Sequence, residues 1–239
     1  INLDLSKMID RKQAVVDQTT KGIDYLMKKN NITVYNGLGS FKDNNNIDLI
    51  VDGKISKTIS SKNFIIATGS KPNQLPFAKI DKDRIISSTE ALSLKEIPKH
   101  LIVVGGGVIG LELGQVYNRL GSKVSIIEYQ DRIIASMDSG LSKELHKVLK
   151  KQKIEFFLSH RVSSIARNGK SVVVKAIDKN DKKVSLEGDY CLISIGRRAY
   201  TEGLNLKAIG LDVNEKGQIE INKNMQTKVS NIYAIGDVV

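Results

Sequence analysis

Leu101-Ile102-Val103-Val104-Gly105-Gly106-Gly107-Val108-Ile109-Gly110-Leu111-Glu112 is the stretch on which the reading of this 239-residue chain turns. Four consecutive apolar residues fit a short parallel strand buried on both faces. The glycines that follow form a G-x-G-x-x-G pattern between that strand and a helical stretch. In this context each glycine has a task. Gly105 permits a tight turn, Gly107 lets the backbone approach a pyrophosphate, and Gly110 lets helix and strand pack closely. Val108 and Ile109 open the helix, whose first N–H groups and partial positive charge favour an anion. A glycine cluster alone would also suit an ordinary turn; its place between strand and helix is what makes it informative.

Downstream, the helix runs to about Leu120, Gly121 turns the chain, and Lys123–Glu128 forms a second apolar strand. Glu128 ends that strand 21 positions after Gly107. A carboxylate there can accept hydrogen bonds from both hydroxyls of an adenosine ribose, and it would repel the 2′-phosphate of NADP. Arg132 is the only arginine close behind it, so the pattern favours NAD(H). The competing reading of Glu128 is a solvated strand end. Asp138 can cap a further helix whose inner face is Leu141, Leu145, Val148 and Leu149, and Ile154–Leu158 is the next strand. Strand–helix–strand–helix–strand is the mononucleotide-binding half of a doubly wound α/β fold. Shorter strands are expected at Val162–Ala166, Val172–Ile177 and Tyr190–Ile195.

Upstream, residues 4–30 read as one long helix. Asp4 caps it, and Leu5, Ile9, Val16, Ile23 and Leu26 form an apolar stripe set against a core. Ile32–Tyr35, Ile47–Val51 and Phe64–Ala67 read as strands of an antiparallel meander. All three prolines, Pro72, Pro76 and Pro98, fall between 70 and 100, which predicts a largely extended, irregular connection. Phe64–Ser70 and Ile232–Asp237 each read as an apolar strand entering a turn where a ligand could approach. Asp237 could accept a hydroxyl hydrogen bond or cap a helix.

Composition narrows the classes. The chain is 41% hydrophobic and 26% charged, enough for a folded core. The formal charge is +11, but the lysines are scattered and aromatics make up only 5%, which argues against a nucleic-acid surface. No apolar run is long enough to span a bilayer. The single cysteine, Cys191, excludes an internal disulfide and reads as a core residue; His100, His146 and His160 read as surface residues.

Taken together, several segments resemble those of the two-dinucleotide flavoprotein disulfide reductases, and within them the dihydrolipoamide dehydrogenases. They are Tyr35–Gly39, Ile66–Ser70, Gln74–Phe77, Ser88–Leu92, Gly105–Glu112, Ser194–Arg198 and Tyr233–Val239. Ala199 departs from the proline usual there. The resemblance covers the whole chain. It implies a Rossmann-like NAD-binding domain plus part of an FAD domain with an antiparallel β-meander. The expected divisions are 1–70 (partial FAD domain), 71–99 (linker), 100–197 (NAD domain) and 198–239 (return to the FAD domain). It further implies that Gly39, Thr68, Gly69, Ser70 and Asp237 serve FAD. Gly105, Gly107, Val108, Ile109, Gly110, Glu112, Glu128, Val162 and Gly196 would serve NAD, with Glu112 on the nicotinamide side. By pattern alone, Val162 is also an ordinary core valine and Gly196 an ordinary turn glycine.

The implied reaction oxidises dihydrolipoamide on a lipoyl domain of a 2-oxo-acid dehydrogenase complex, with electrons passing through a redox disulfide and FAD to NAD⁺. The implied parent is a homodimer of the cytoplasm or mitochondrial matrix. The family's redox cysteine pair and His–Glu pair match nothing here, so this chain reads as an internal segment without catalytic residues or a metal site, inactive alone.

Overall fold

The computed structural model describes residues 3–239 and divides into two compact units. One comprises the chain up to Ala14 together with Pro72–Gly196; the other comprises Val15–Lys71 with Arg197–Val239.

The first unit is built on a five-stranded parallel sheet in the order Ile85–Ile86, Tyr190–Ile193, His100–Val104, Lys123–Ile127, Glu155–Phe157. Successive side chains of a strand point to opposite faces, and both faces are covered. Leu101, Val103, Val124, Ile126 and Leu192 meet Leu111 and Tyr117 of the Val108–Arg119 helix and Leu149 of the Ser139–Lys151 helix. Ile102, Val104, Ile127, Cys191 and Ile193 meet Val162, Ile165, Val172, Val174 and Ala176. Those partners lie on a three-stranded antiparallel sheet of His160–Asn168, Ser171–Asp178 and Lys183–Gly188. Two-sided burial is why these strands read as unbroken apolar runs. A doubly wound sheet carries helices on both faces; here a β-meander covers one of them.

The second unit carries an antiparallel meander of Leu38–Asp43, Asn46–Val51 and Lys54–Ser60, and a parallel pair, Phe64–Ile66 with Ile232–Ala234. Phe41 and Phe64 meet edge to face at 5.4 Å in a core shared with Ile219, Ile232 and Val238.

Several expectations are corrected. Ile32–Tyr35 is not a strand: Ile32, Val34 and Tyr35 are exposed, and the meander begins at Leu38. Its third strand is Lys54–Ser60, whose alternation carries too few apolar residues to stand out. The proline-containing stretch is not wholly irregular, because Ile85–Ile86 joins the parallel sheet and Ser87 opens a capped turn of helix, Ser88–Ala91. The long helix is Leu5–Lys29, and Asp4 Oδ1 accepts from the Lys7 N–H as expected of a cap. None of its residues is buried, however, so its stripe is not set against a core among the described residues. On the Ser139–Lys151 helix Asp138 does cap, but only Leu145 and Leu149 face inward; Leu141 and Val148 are exposed and the buried companion is Ser142.

Cys191 is fully buried, and burial pushes its thiol pKa up, as suits a core residue. The histidines are not all surface residues. His100 has both ring nitrogens engaged, Nδ1 with Glu187 O at 2.7 Å and Nε2 with Ser125 Oγ at 2.8 Å. Among the described residues the Nε2 of His146 is buried without a partner, its ring edge-on to Phe156 at 4.6 Å. Desolvation lowers the pKa of both imidazoles.

Two outcomes follow from this packing. Leu192→Ala, in the middle of the sheet, should cost about 2–5 kcal/mol in urea unfolding, whereas Leu141→Ala should change stability by less than about 0.5 kcal/mol. A lowered imidazole pKa means that the unfolded chain takes up the proton first. The stabilisation is complete above the ordinary imidazole value of about 6.5 and is lost as pH falls below it. The urea midpoint should therefore drop between about pH 7.5 and about pH 5.5, and drop less in His100→Gln.

Candidate functional site

The sheet order places the Gly105–Gly110 turn where the chain reverses direction across the sheet. His100–Val104 is flanked by Lys123–Ile127 on one side and by Tyr190–Ile193, reached later in the chain, on the other. In open α/β sheets the crevice outside the carboxyl ends of the strands at such a point is where ligands bind. A cavity of 650 Å³ lies there, within the usual range for a small-molecule site. Its lining includes Gly105–Gly107, Ile127–Gln130, His160–Val162 and Ser194–Gly196.

The glycines divide their work as the spacing predicts. Gly105 has φ +109°, and a Cβ on it would strike the Ser194 carbonyl. A Cβ on Gly110 would strike the Gly105 carbonyl oxygen and come within 2.5 Å of Ser194 Oγ. These two positions are closed by protein. Gly107 is the reverse: no atom of the described residues lies within 4 Å of where its Cβ would be, and as N-cap of the Val108–Arg119 helix it brings no side-chain cap. The open space over bare N–H groups is left for something outside the chain, and a phosphate matches both the space and the dipole. Val108 is exposed and Ile109 half-buried on the first helical turn, and neither lines the cavity.

Glu128 is fixed from both sides. Its Oε2 accepts from the Gly106 N–H at 2.5 Å and its Oε1 from the Gln130 N–H at 2.7 Å. Each carboxylate oxygen keeps a free lone pair for a hydroxyl donor. Val162 and Gly196 (φ +102°) line the same cavity. Glu112 does not: it is exposed on the helix and borders a separate apolar hollow with Val108, Leu111 and Met137. Sequence reading missed His160 and Tyr129 as wall residues. His160 carries no motif, and its position follows only from the turn that brings it beside Glu128.

In the second unit, Thr68, Gly69, Ser70 and Asp237 come together past the carboxyl ends of the parallel pair, where the Ile235 N–H continues the ladder to Ile66 O. Ser70 Oγ donates to Asp237 Oδ2 at 2.6 Å. Arg197 grips the same serine twice, Nε to Oγ and Nη2 to the carbonyl, both at 2.7 Å. Thr68 Oγ1 donates to Tyr200 O at 2.6 Å, and Gly69 takes φ +70°. One oxygen of Asp237 is thereby occupied and the other is available. Gly39 lies on the Leu38–Asp43 strand and shares none of these bonds. In the sequence Arg197 is only part of a motif; its double hold on Ser70 has no signature in spacing. Among the described residues no three His, Cys, Asp or Glu are grouped as metal ligands, and no helix is long and apolar enough to cross a membrane.

A family model for pyridine nucleotide-disulphide oxidoreductases matches residues 3–239. The chain belongs to this family. It is 41% identical over 242 residues to the mitochondrial dihydrolipoyl dehydrogenase of Dictyostelium discoideum, covering all of this chain and 50% of that protein. To dihydrolipoyl dehydrogenase 3 of Pseudomonas putida it is 41% identical over 238 residues, 99% of this chain and 51% of the other. Among solved structures it is similar to LpdA of Mycobacterium tuberculosis, with a TM-score of 0.91 at 25% identity, covering 100% of this chain and 52% of that one. It is also similar to the HOCl-induced flavoprotein disulfide reductase RclA of Escherichia coli, with a TM-score of 0.86 at 29% identity, covering 99% of this chain and 53% of that one. The chain thus spans about half the length of the curated relatives it matches. The fold is of the two-dinucleotide flavoprotein type, and the family works with FAD and NAD(H).

The glycine geometry separates stability from binding. Gly110→Ala should destabilise the first unit by more than about 2 kcal/mol, because backbone and Ser194 have to move. Gly107→Ala should leave the urea midpoint almost unchanged yet weaken NADH binding about tenfold or more, since its methyl projects into the ligand's space. Parallel unfolding and NADH-fluorescence titrations of both variants check this.

Proposed function

We propose that this chain is the NAD-binding part, with a portion of the FAD site, of a dihydrolipoyl dehydrogenase. The observation that carries the nucleotide half is the pairing of an open Gly107 over bare helix N–H groups with a Glu128 carboxylate held by Gly106 and Gln130. Gly105–Gly110 would hold the pyrophosphate, Glu128 the ribose hydroxyls, and Val162 and Gly196 the cavity walls. Glu112, outside that cavity, would act on the nicotinamide side. Thr68, Gly69, Ser70 and Asp237 would meet FAD, with Gly39 near its adenosine half and Asp237 accepting from a ribityl hydroxyl. Bound here, the two cofactors supply the hydride chemistry, and the chain's own groups bind and orient them.

The substrate assignment, dihydrolipoamide on a lipoyl domain of a 2-oxo-acid dehydrogenase complex, is supported by the identity of about 40% to dihydrolipoyl dehydrogenases across the whole chain. A homodimeric parent, in the cytoplasm or mitochondrial matrix, belongs to the same reading. The proposed extents remain 1–70, 71–99, 100–197 and 198–239.

A disulfide relay needs two thiols, and this chain has one cysteine, fully buried. By itself the chain binds nucleotide without turnover. A sister disulfide reductase is the second reading, favoured by the likeness to RclA.

Titration with NADH and NADPH tests the nucleotide half. The chain should bind NADH in preference, and Glu128→Gln should weaken NADH binding about tenfold, the cost of removing a charged hydrogen-bond acceptor, while narrowing the gap to NADPH. No NADH binding, or an unchanged preference in Glu128→Gln, would contradict it. An assay of NAD⁺ reduction by dihydrolipoamide should give no turnover with this chain alone.

A further inference from the structure

The peptide between Gly106 and Gly107 carries an N–H at the start of the helix, yet its own flanking residues do little to orient it. Both are glycines, which take positive and negative φ alike, so this peptide can rotate with little steric resistance from either side. Its two polar groups fare differently. The Gly106 carbonyl accepts from the Ile134 N–H at 2.9 Å, whereas among the described residues the Gly107 N–H meets no protein acceptor. A trans peptide directs its C=O and N–H to opposite sides, and no described peptide bond is cis. The bond from Ile134 therefore leaves the Gly107 N–H turned away from the Ile134 loop, at a glycine with open space around it. Glu128 does not fix this peptide. Its carboxylate accepts the N–H of Gly106 itself, which belongs to the peptide before.

Ile134 makes its bond from an unfavourable backbone. It has φ +40°, and among the described non-glycine residues with positive φ it alone is β-branched. That conformation is an outlier for a β-branched residue and persists only where the surroundings impose it. Here they do. The Ile134 carbonyl accepts from the Met137 N–H at 2.8 Å, and the preceding Ile133 carbonyl accepts from Ser142 Oγ, also at 2.8 Å. Arg132 Nη2 donates to the Ala135 carbonyl at 3.0 Å. Both isoleucine side chains are buried with Leu111 and Leu149 in one core.

We propose that Ile134 is a positioning residue of the dinucleotide cavity: its main-chain N–H holds the Gly106–Gly107 peptide in the orientation that presents the Gly107 N–H to the ligand's pyrophosphate. Without that bond the peptide rotates, and its carbonyl oxygen can face the phosphates instead of its N–H. The strained backbone at Ile134 is what brings the donor to Gly106. This role rests on the dinucleotide reading of the cavity. It separates two halves of the site, because Ile134 governs the phosphate-facing peptide while Glu128 is held by other bonds.

The test uses the isotopically labelled 239-residue chain, native and with the α-hydroxy acid analogue of isoleucine at position 134. The analogue keeps the side chain and puts an ester oxygen where the N–H stands. Amide shifts are followed during NADH titration, and urea unfolding shows that both forms are folded. The ester should raise the Kd for NADH about tenfold, the size of a lost hydrogen bond to a charged group. At saturation the Gln130 amide, which reports on the Glu128 carboxylate, should respond as in the native chain, while the response of the Gly107 amide shrinks. An unchanged Kd, or Gly107 and Gln130 responses that are lost together, would overturn the role given to Ile134. A second measurement needs no variant. A through-hydrogen-bond coupling between the Ile134 nitrogen and the Gly106 carbonyl carbon should be present in the native chain and persist when NADH saturates it; its absence in either state would also overturn that role. No NADH binding by the native chain would overturn the dinucleotide reading and this inference with it.

Discussion

Three backbone segments meet at one point with no room to spare, and the first unit is organised around that meeting. The helix at Gly110 lies against the Gly105 carbonyl, and Ser194, following the neighbouring strand, touches both glycines. The Ser194 N–H donates to Val104 O and the Gly105 N–H to Ile127 O, both at 2.8 Å. Three adjacent strands are therefore tied together at their carboxyl ends. A side chain at Gly105 or Gly110 would push the helix away from the sheet, and the N–H groups at its start would no longer face the crevice. The burial of Leu101, Val103 and Leu111 beneath depends on the same approach.

From that point the chemistry follows with few further requirements. The Gly106 N–H, freed from the strand ladder by the turn, is directed at Glu128 rather than at water. The Ile134 N–H in turn donates to Gly106 O at 2.9 Å, so the loop beyond Glu128 closes over the same glycine. Carboxylate, open glycine and helix terminus are thus positioned by backbone bonds, which require little rearrangement when a ligand arrives. The Ser70–Asp237–Arg197 network repeats the device in the second unit, again past the ends of two parallel strands.

What the sequence made legible was local and backbone-driven. The strand Leu101–Val104, the glycine turn, the Asp138 cap and the position of Glu128 each depend on residue types within a few positions of one another. Three things were hidden. Lys54–Ser60 pairs through its main chain while showing polar side chains, so alternation carried no signal. Leu141 looks internal by helical spacing, yet Ser142 takes the buried place because its hydroxyl donates to Ile133 O, a partner nine residues away. His160 reaches the cavity only because the turn before it ties its main chain to that of Glu128, far back in the chain. Spacing reports one element at a time, and these three outcomes depend on what a second element brings.

The Gly105–Gly110 turn and the Glu128 carboxylate are proposed to form one NAD(H) site. Amide chemical-shift mapping of the isotopically labelled chain during NADH titration tests it most directly. With one shared site, shifts saturate together at Gly105–Gly107, Glu128–Gln130, His160–Val162 and Ser194–Gly196, while the Lys54–Ser60 strand stays still. Saturable shifts confined to other residues, with the Gly106 and Gln130 amides unmoved, would contradict it.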